Sequence, residues 1–163
     1  MKNLILILFT ITNLFVYSQD LPTEPANGFA FSIGTKFTIK LYPIDSVNFN
    51  YSIIEFEEFH EIIDTWASDT IFEEKGIEGT IECYFCLSTR SETDIEKEEN
   101  MKVLLLMNNR TKYSLSYKSD IQVEENGEFK ETSNVGIFSG AKASEIWGNM
   151  IYLIGLHDFK KIK

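Results

Sequence analysis

A strict two-residue rhythm runs through several stretches of this chain, and it limits the fold more than any other feature. In residues 35–41, Phe37, Ile39 and Leu41 alternate with Lys36, Thr38 and Lys40. In residues 46–53, Val47, Phe49, Tyr51 and Ile53 alternate with Ser46, Asn48, Asn50 and Ser52, and Tyr113, Leu115 and Tyr117 keep the same parity later on. Successive side chains of a strand leave opposite faces, so this rhythm predicts strands with one face buried and one in water, the antiparallel pattern. Tyr42-Pro43-Ile44-Asp45 supplies the turn between the first two.

Other segments complete a sheet. Residues 101–107 are apolar nearly throughout, as expected of a central strand covered on both sides, and Asn108-Asn109-Arg110 is the predicted turn after it. Asn126-Gly127 marks a hairpin. A two-residue loop there pairs Val123 with Lys130, whereas a three-residue loop with Gly127 left-handed pairs Val123 with Phe129 and sets apolar against apolar. Residues 151–159 read as a last strand. Two stretches have helical spacing: Phe56, Phe59, Ile63 and Trp66, led by the capping-box pair Ser52 and Glu55, and Ala143, Ile146, Trp147 and Met150. The acid-rich residues 88–100 read as a connecting loop. The expected fold is α+β, dominated by antiparallel sheet (a sandwich or a single curved sheet) with one or two packed helices.

The chain begins with Lys2, an apolar run from Leu4 to Phe15, and then Val16-Tyr17-Ser18, which gives an aliphatic and a small residue where a signal peptidase reads them. This predicts a secretory signal peptide over residues 1–18, cut after Ser18. The run is shorter than the about 20 residues of a spanning helix, so no stable membrane insertion is expected after cleavage. Residues 19–28, with two prolines and a glycine, read as a flexible lead-in, and residues 29–163 as a single globular β-rich domain. The expected destination is the periplasm or the exterior.

A formal net charge of −10 sets the class of partner. An acidic exported chain repels nucleic acid and anionic lipid, and suits a basic partner or a divalent cation; the expected partner is an unknown protein or glycan.

Cys83 and Cys86, the only cysteines, fall in an alternating segment, residues 79–88. A separation of three along a strand sends the two side chains to opposite faces, with α-carbons about 10 Å apart, past the about 7 Å limit of a disulfide. Two arrangements follow. A bulge or turn at Tyr84-Phe85 closes a small disulfide, which an oxidising compartment favours; otherwise Cys83 is core and Cys86 an outward thiol. A thioredoxin-like redox pair requires a helix start after the first cysteine, and Tyr84-Phe85 are strand formers. A zinc site from His60, Cys83, Cys86 and His157 requires distant segments to converge, and His60-Glu61-Ile62-Ile63-Asp64 lacks the second histidine of a zinc protease. No metal, cofactor or catalytic residue is assigned. Acids such as Glu57, Glu61 and Asp64 match a solvated face, and residues 94–99 lack the order of a calcium loop. Asn50-Tyr-Ser52 and Asn109-Arg-Thr111 match the N-glycosylation sequon.

Among many aromatic residues, Tyr84 is on the parity opposite the core set and is the first candidate for ligand contact, with Trp147 the second. The leading expectation is an exported non-enzymatic binding domain of unknown ligand. The alternatives are an acidic periplasmic inhibitor or immunity-type protein, and a small carboxylate-dependent hydrolase.

Overall fold

The computed structural model describes residues 21–22, 24–65, 70–90 and 93–162. The expected signal peptide and Trp66 lie outside the described residues. Among the described residues, ten strands and one short helix follow in order: β1 (Gly28–Ser32), β2 (Thr35–Pro43), β3 (Phe49–Glu58), β4 (Ile63–Asp64), β5 (Thr80–Thr89), α1 (Asp94–Glu99), β6 (Lys102–Asn109), β7 (Leu115–Gln122), β8 (Lys130–Thr132), β9 (Lys142–Trp147) and β10 (Leu153–Lys161). They form two sheets, one ordered β3-β2-β5-β6-β9 with β4 added beside β5, the other β1-β10-β7-β8. All these pairings are antiparallel except that of β4 with β5. No helix among the described residues is long and apolar enough to cross a membrane.

The alternation read from the sequence builds the core between the sheets. Phe37 and Ile39 on β2 and Tyr51 on β3 face Phe31, Leu156 and Phe159 from the second sheet. β6 is buried on both faces: Val103, Leu105 and Met107 join this core, while Leu104 and Leu106 point to the far side. There they meet Ile63 and Phe72, carried by the long connection from β3 to β5 that folds over the outer face of the sheet.

Tyr51 joins the sheets at one corner. Its hydroxyl donates to the Leu156 carbonyl at 2.6 Å and accepts the Phe29 N–H at 2.9 Å, so both buried backbone groups are satisfied by one side chain. Ala26, within the expected lead-in, exchanges two 2.9 Å backbone hydrogen bonds with Tyr51, and Leu21 packs on the core. At the same corner the Lys161 N–H donates to the Val47 carbonyl.

Neither expected helix forms, and each error has a cause. β3 carries a bulge where Ile39 pairs Ile53 but Thr38 pairs Glu55, leaving Ile54 as an extra residue. The inward set therefore steps by three, from Ile53 to Phe56, and imitates a helix. Ser52 and Glu55, read as a capping box, are strand residues. The segment with Ala143, Ile146 and Trp147 is β9: Ala143 and Trp147 pack on the core, whereas Ile146 lies exposed. An apolar residue facing out and Glu145 facing in hide the period of two. Conversely, residues 88–100 hold α1, with the Thr93 hydroxyl accepting the Glu96 N–H as its cap. Thr93 and Glu96 were themselves a capping box in the sequence.

Turns shift as well. The first hairpin turns at residues 44–48, where the Asp45 carboxylate accepts the Val47 and Asn48 N–H groups. The second hairpin forms, but Ile121 pairs Lys130, so neither proposed loop is right. Asn126, not Gly127, takes the left-handed conformation (φ 61°). Asn109 lies in β6 rather than in a turn, fully buried, with its side-chain amide donating to two carbonyls. A glycan on that sequon is incompatible with the folded chain.

Candidate functional site

Neither sequence-derived contact residue forms an open site. Tyr84 leaves the core-facing parity as expected but is 5 % exposed, because the β3–β5 connection lays Phe59 and Phe72 edge-on against its ring. Its outward parity is real, yet that face of the sheet is covered. Trp147 is half-buried, packs on the core and donates its indole N–H to Thr132 Oγ1 at 3.4 Å.

The cysteines are correctly placed on opposite faces of β5, and both are free. β5 runs through Tyr84-Phe85 without the bulge a disulfide needs, so Cys83 pairs across to Met107 and Cys86 to Leu104 in unbroken register. The expected disulfide and the outward thiol are both corrected: Cys83 lies in the core between the sheets and Cys86 under the β3–β5 connection. Burial pushes the Cys86 thiol up to about 12 and that of Cys83 well above its ordinary value. Native protein at about pH 8 is expected to react with a thiol-specific disulfide reagent at least about a hundredfold more slowly than unfolded protein, which should show two thiols. Fast native labelling would contradict this placement.

His60 and His157 are on different parts of the molecule. His60 is exposed beside Glu58, and no group of three potential metal ligands occurs among the described residues.

The outer face of the six-stranded sheet carries a ladder of paired charges. Lys36 Nζ lies 2.9 Å from Glu57, with Glu82 at 3.9 Å and the Tyr84 ring beneath it. The Glu57 hydrogen bond holds the ammonium well above its usual pKa. Arg110 pairs with Glu82 at 3.4 Å and donates to the carbonyls of Glu73 and Glu74. Through Arg110 these charges fasten the connection to the sheet, although the guanidinium Nε is buried without a partner among the described residues.

Desolvation raises the Glu145 carboxyl above the usual range, opposed by the Val135 N–H that it accepts at 3.3 Å. An inward charge on the edge strand β9 discourages pairing with another chain. Because the folded-state value is raised, the burial cost is absent at acid pH and grows as pH rises through and above the ordinary glutamate range. Glu145→Gln is therefore expected to raise the urea midpoint at pH 7 and to leave it unchanged near pH 3.5. Equal shifts at both pH values would assign the effect to packing instead.

The second sheet offers an open arrangement. Register sets Ala30, Gly155, Asp120 and Glu131 in one row across its four strands. The neighbouring row holds Gly28, His157 and Lys118. With two glycines and an alanine on the outer face, the floor is bare backbone, and a groove of about 230 Å³ opens over it. Gly28 is required: a Cβ there would come 2.7 Å from His157 Cβ. At Gly155 a Cβ would meet only ordinary contacts, the nearest at 3.7 Å, so that space is left open rather than forced open.

Around this floor stand three functional groups. Phe129, arriving from the hairpin turn, lies over Gly155 and is 44 % exposed. His157 Nε2 is 3.1 Å from the Asp120 carboxylate, and Nδ1 is 3.5 Å from that of Asp158. In a regular pleat His157 and Asp158 would face opposite ways. Asp158 takes a left-handed conformation (φ 54°), and the register with β7 breaks between His157 and Lys160, which turns its carboxylate back to the imidazole. Asn27 donates to Asp158 at 2.9 Å and holds its carboxyl below the usual range. The groove thus offers an aromatic surface, a carboxylate acceptor and an imidazole set between the Asp120 and Asp158 carboxylates. This suits noncovalent recognition.

Sequence reading missed this site. Gly155 inside a predicted strand was a signal of close backbone approach, but which small residues align across four strands is decided by register alone. No family model, curated protein or solved structure matches the chain.

Proposed function

We propose that the chain is an exported, non-enzymatic binding domain that presents the outer face of its four-stranded sheet to a protein or glycan ligand. The observation that carries this reading is the small-residue floor of Gly28, Ala30 and Gly155 beneath an exposed Phe129 and beside the Asp120–His157 pair. Burying a whole phenyl ring is worth about 1.5–3 kcal/mol, and Phe129 keeps 44 % of its surface exposed, so a ligand that covered it would recover part of that. Export rests on the amino-terminal pattern of Lys2, the apolar run and Ser18.

Gly155→Val tests the site without disturbing the fold. Valine suits a strand, and its Cβ has room. The variant is expected to melt within about 3 °C of the parent yet lose at least about tenfold in affinity for whatever an array of glycans and an extract of exported proteins yields to the parent. Undiminished binding would move the site elsewhere.

The acidity of the chain favours a second reading, an inhibitor or immunity-type protein for a basic hydrolase or toxin. Salt-sensitive capture of such an enzyme selects it. The hydrolase alternative calls for two acids converging on one cleft, and the raised carboxyl, Glu145, has the Val135 amide and the Tyr117 hydroxyl beside it.

A further inference from the structure

We infer that the groove over Gly155 receives an arginine side chain from a basic segment of a partner protein, with the guanidinium against Phe129 and bonded to the Asp120 carboxylate. This rests on the groove being the binding site and adds the chemistry of the occupant.

Three features of the face point to a cation. First, Asp120 and Glu131 are directly opposite across β7 and β8. Like charges at that spacing repel, and the cation paired with them is Lys118, at 3.3 Å from Glu131, while His157 contacts Asp120 at 3.1 Å. A guanidinium entering between Phe129 and Asp120 relieves it. Secondly, the turn that delivers Phe129 carries Glu124, Glu125 and Glu128, all exposed, against the single cation Lys130. That surrounds an aromatic ring with negative potential, in a chain of net charge −10. Thirdly, the floor is flat. Bare backbone at Gly155 and the small methyl of Ala30 leave room for a planar group beside the ring, where a guanidinium combines cation–π attraction with hydrogen bonds to a carboxylate. An ammonium, compact and strongly hydrated, gains less from a flat slot. A neutral saccharide stacks on the phenyl ring and donates hydroxyls to a carboxylate, but it brings no positive charge to balance the glutamate rim.

The test uses isotope-labelled protein and three probes: the peptide acetyl-Gly-Arg-Gly-Arg-Gly-amide, the same peptide with citrulline for arginine, and maltopentaose. The arginine peptide is expected to shift the backbone amides of Gly155, His157 and Phe129, and to bind more weakly as salt rises from about 50 to 200 mM. Phe129→Ala and Gly155→Val are each expected to weaken it about five- to tenfold. Glu57→Gln, an acid on the other sheet, should leave the affinity unchanged. Equal losses from Glu57→Gln and Phe129→Ala would show diffuse attraction to an acidic surface and overturn the inference. Shifts at the groove amides from citrulline peptide or maltopentaose, matching or exceeding those from the arginine peptide, would also overturn it while leaving the groove a binding site. If no probe shifts those amides, the arginine assignment falls, and the Gly155→Val comparison still judges the groove on its own.

Discussion

Asn109→Ala is expected to lower the melting temperature by about 10 °C, a loss of about 4 kcal/mol. Asn109 ends β6 with no exposed surface and a fully used side chain. Its amide nitrogen donates to the Tyr113 carbonyl at 2.8 Å and the Phe138 carbonyl at 3.0 Å. Its oxygen accepts from the Thr111 N–H at 3.0 Å and the Thr111 hydroxyl at 2.7 Å. One side chain thereby replaces backbone partners for the turn into β7 and for the loop before β9. Alanine strands these groups away from water, where each unsatisfied group costs about 1–3 kcal/mol. Asn109→Asp keeps the shape and the accepting oxygen, and at acid pH, where its carboxyl is protonated, it offers one O–H donor in place of two N–H donors, so it should fall between parent and alanine variant. Thermal melts followed by circular dichroism would check this, and an alanine variant melting within about 3 °C of the parent would mean that the turn re-pairs without the side chain.

Phe37→Ala is expected to cost about 4 kcal/mol, out of a total that for domains of this size is about 5–15 kcal/mol. The Phe37 ring, from β2, stacks on the Phe31 ring, from β1, with centroids 3.6 Å apart and planes within 4°. The two strands belong to different sheets, so this contact is the centre of the sandwich rather than a pairing within one layer. Both side chains are essentially without solvent contact, so removing one ring leaves a void that neighbours on two rigid sheets cannot close. Urea denaturation should show the midpoint falling with an unchanged slope. Phe37→Leu, which refills most of the volume, should recover more than half of the loss. A drop in slope instead would mean that the sheets separate in the native state.

Much of the sheet was legible because period-two alternation survives wherever a strand has one wet face. β2, β5 and β10 were found within two residues of their ends, β7 only in its first half, and β6 was identified as doubly covered from its apolar run. The strand geometry at Cys83 and Cys86 was also readable: a separation of three forbids the bond, and β5 has no distortion to permit it. Compartment chemistry pulled the expectation the other way and lost to the pleat. β3 misled because one extra residue, Ile54, changes the spacing of its inward set from two to three. β9 misled because Glu145 and Ile146 face the wrong ways for a simple buried strand. α1 was hidden by charge, although Thr93 and Glu96 capped it in the sequence.

By itself the sequence determined the sheet-forming rhythm, the opposed faces of the two cysteines and the negative charge, since each is a property of residue order or count. The tertiary structure alone decided that Tyr84 is covered, that the amide of Asn109 is consumed, and that Gly28, Ala30 and Gly155 align beneath Phe129 and beside Asp120 and His157. The physical reason is register. A strand fixes which way its own side chains point, but which residues of distant strands become neighbours depends on how the ladders slide together, and a loop folding over one face can turn an outward residue into an interior one.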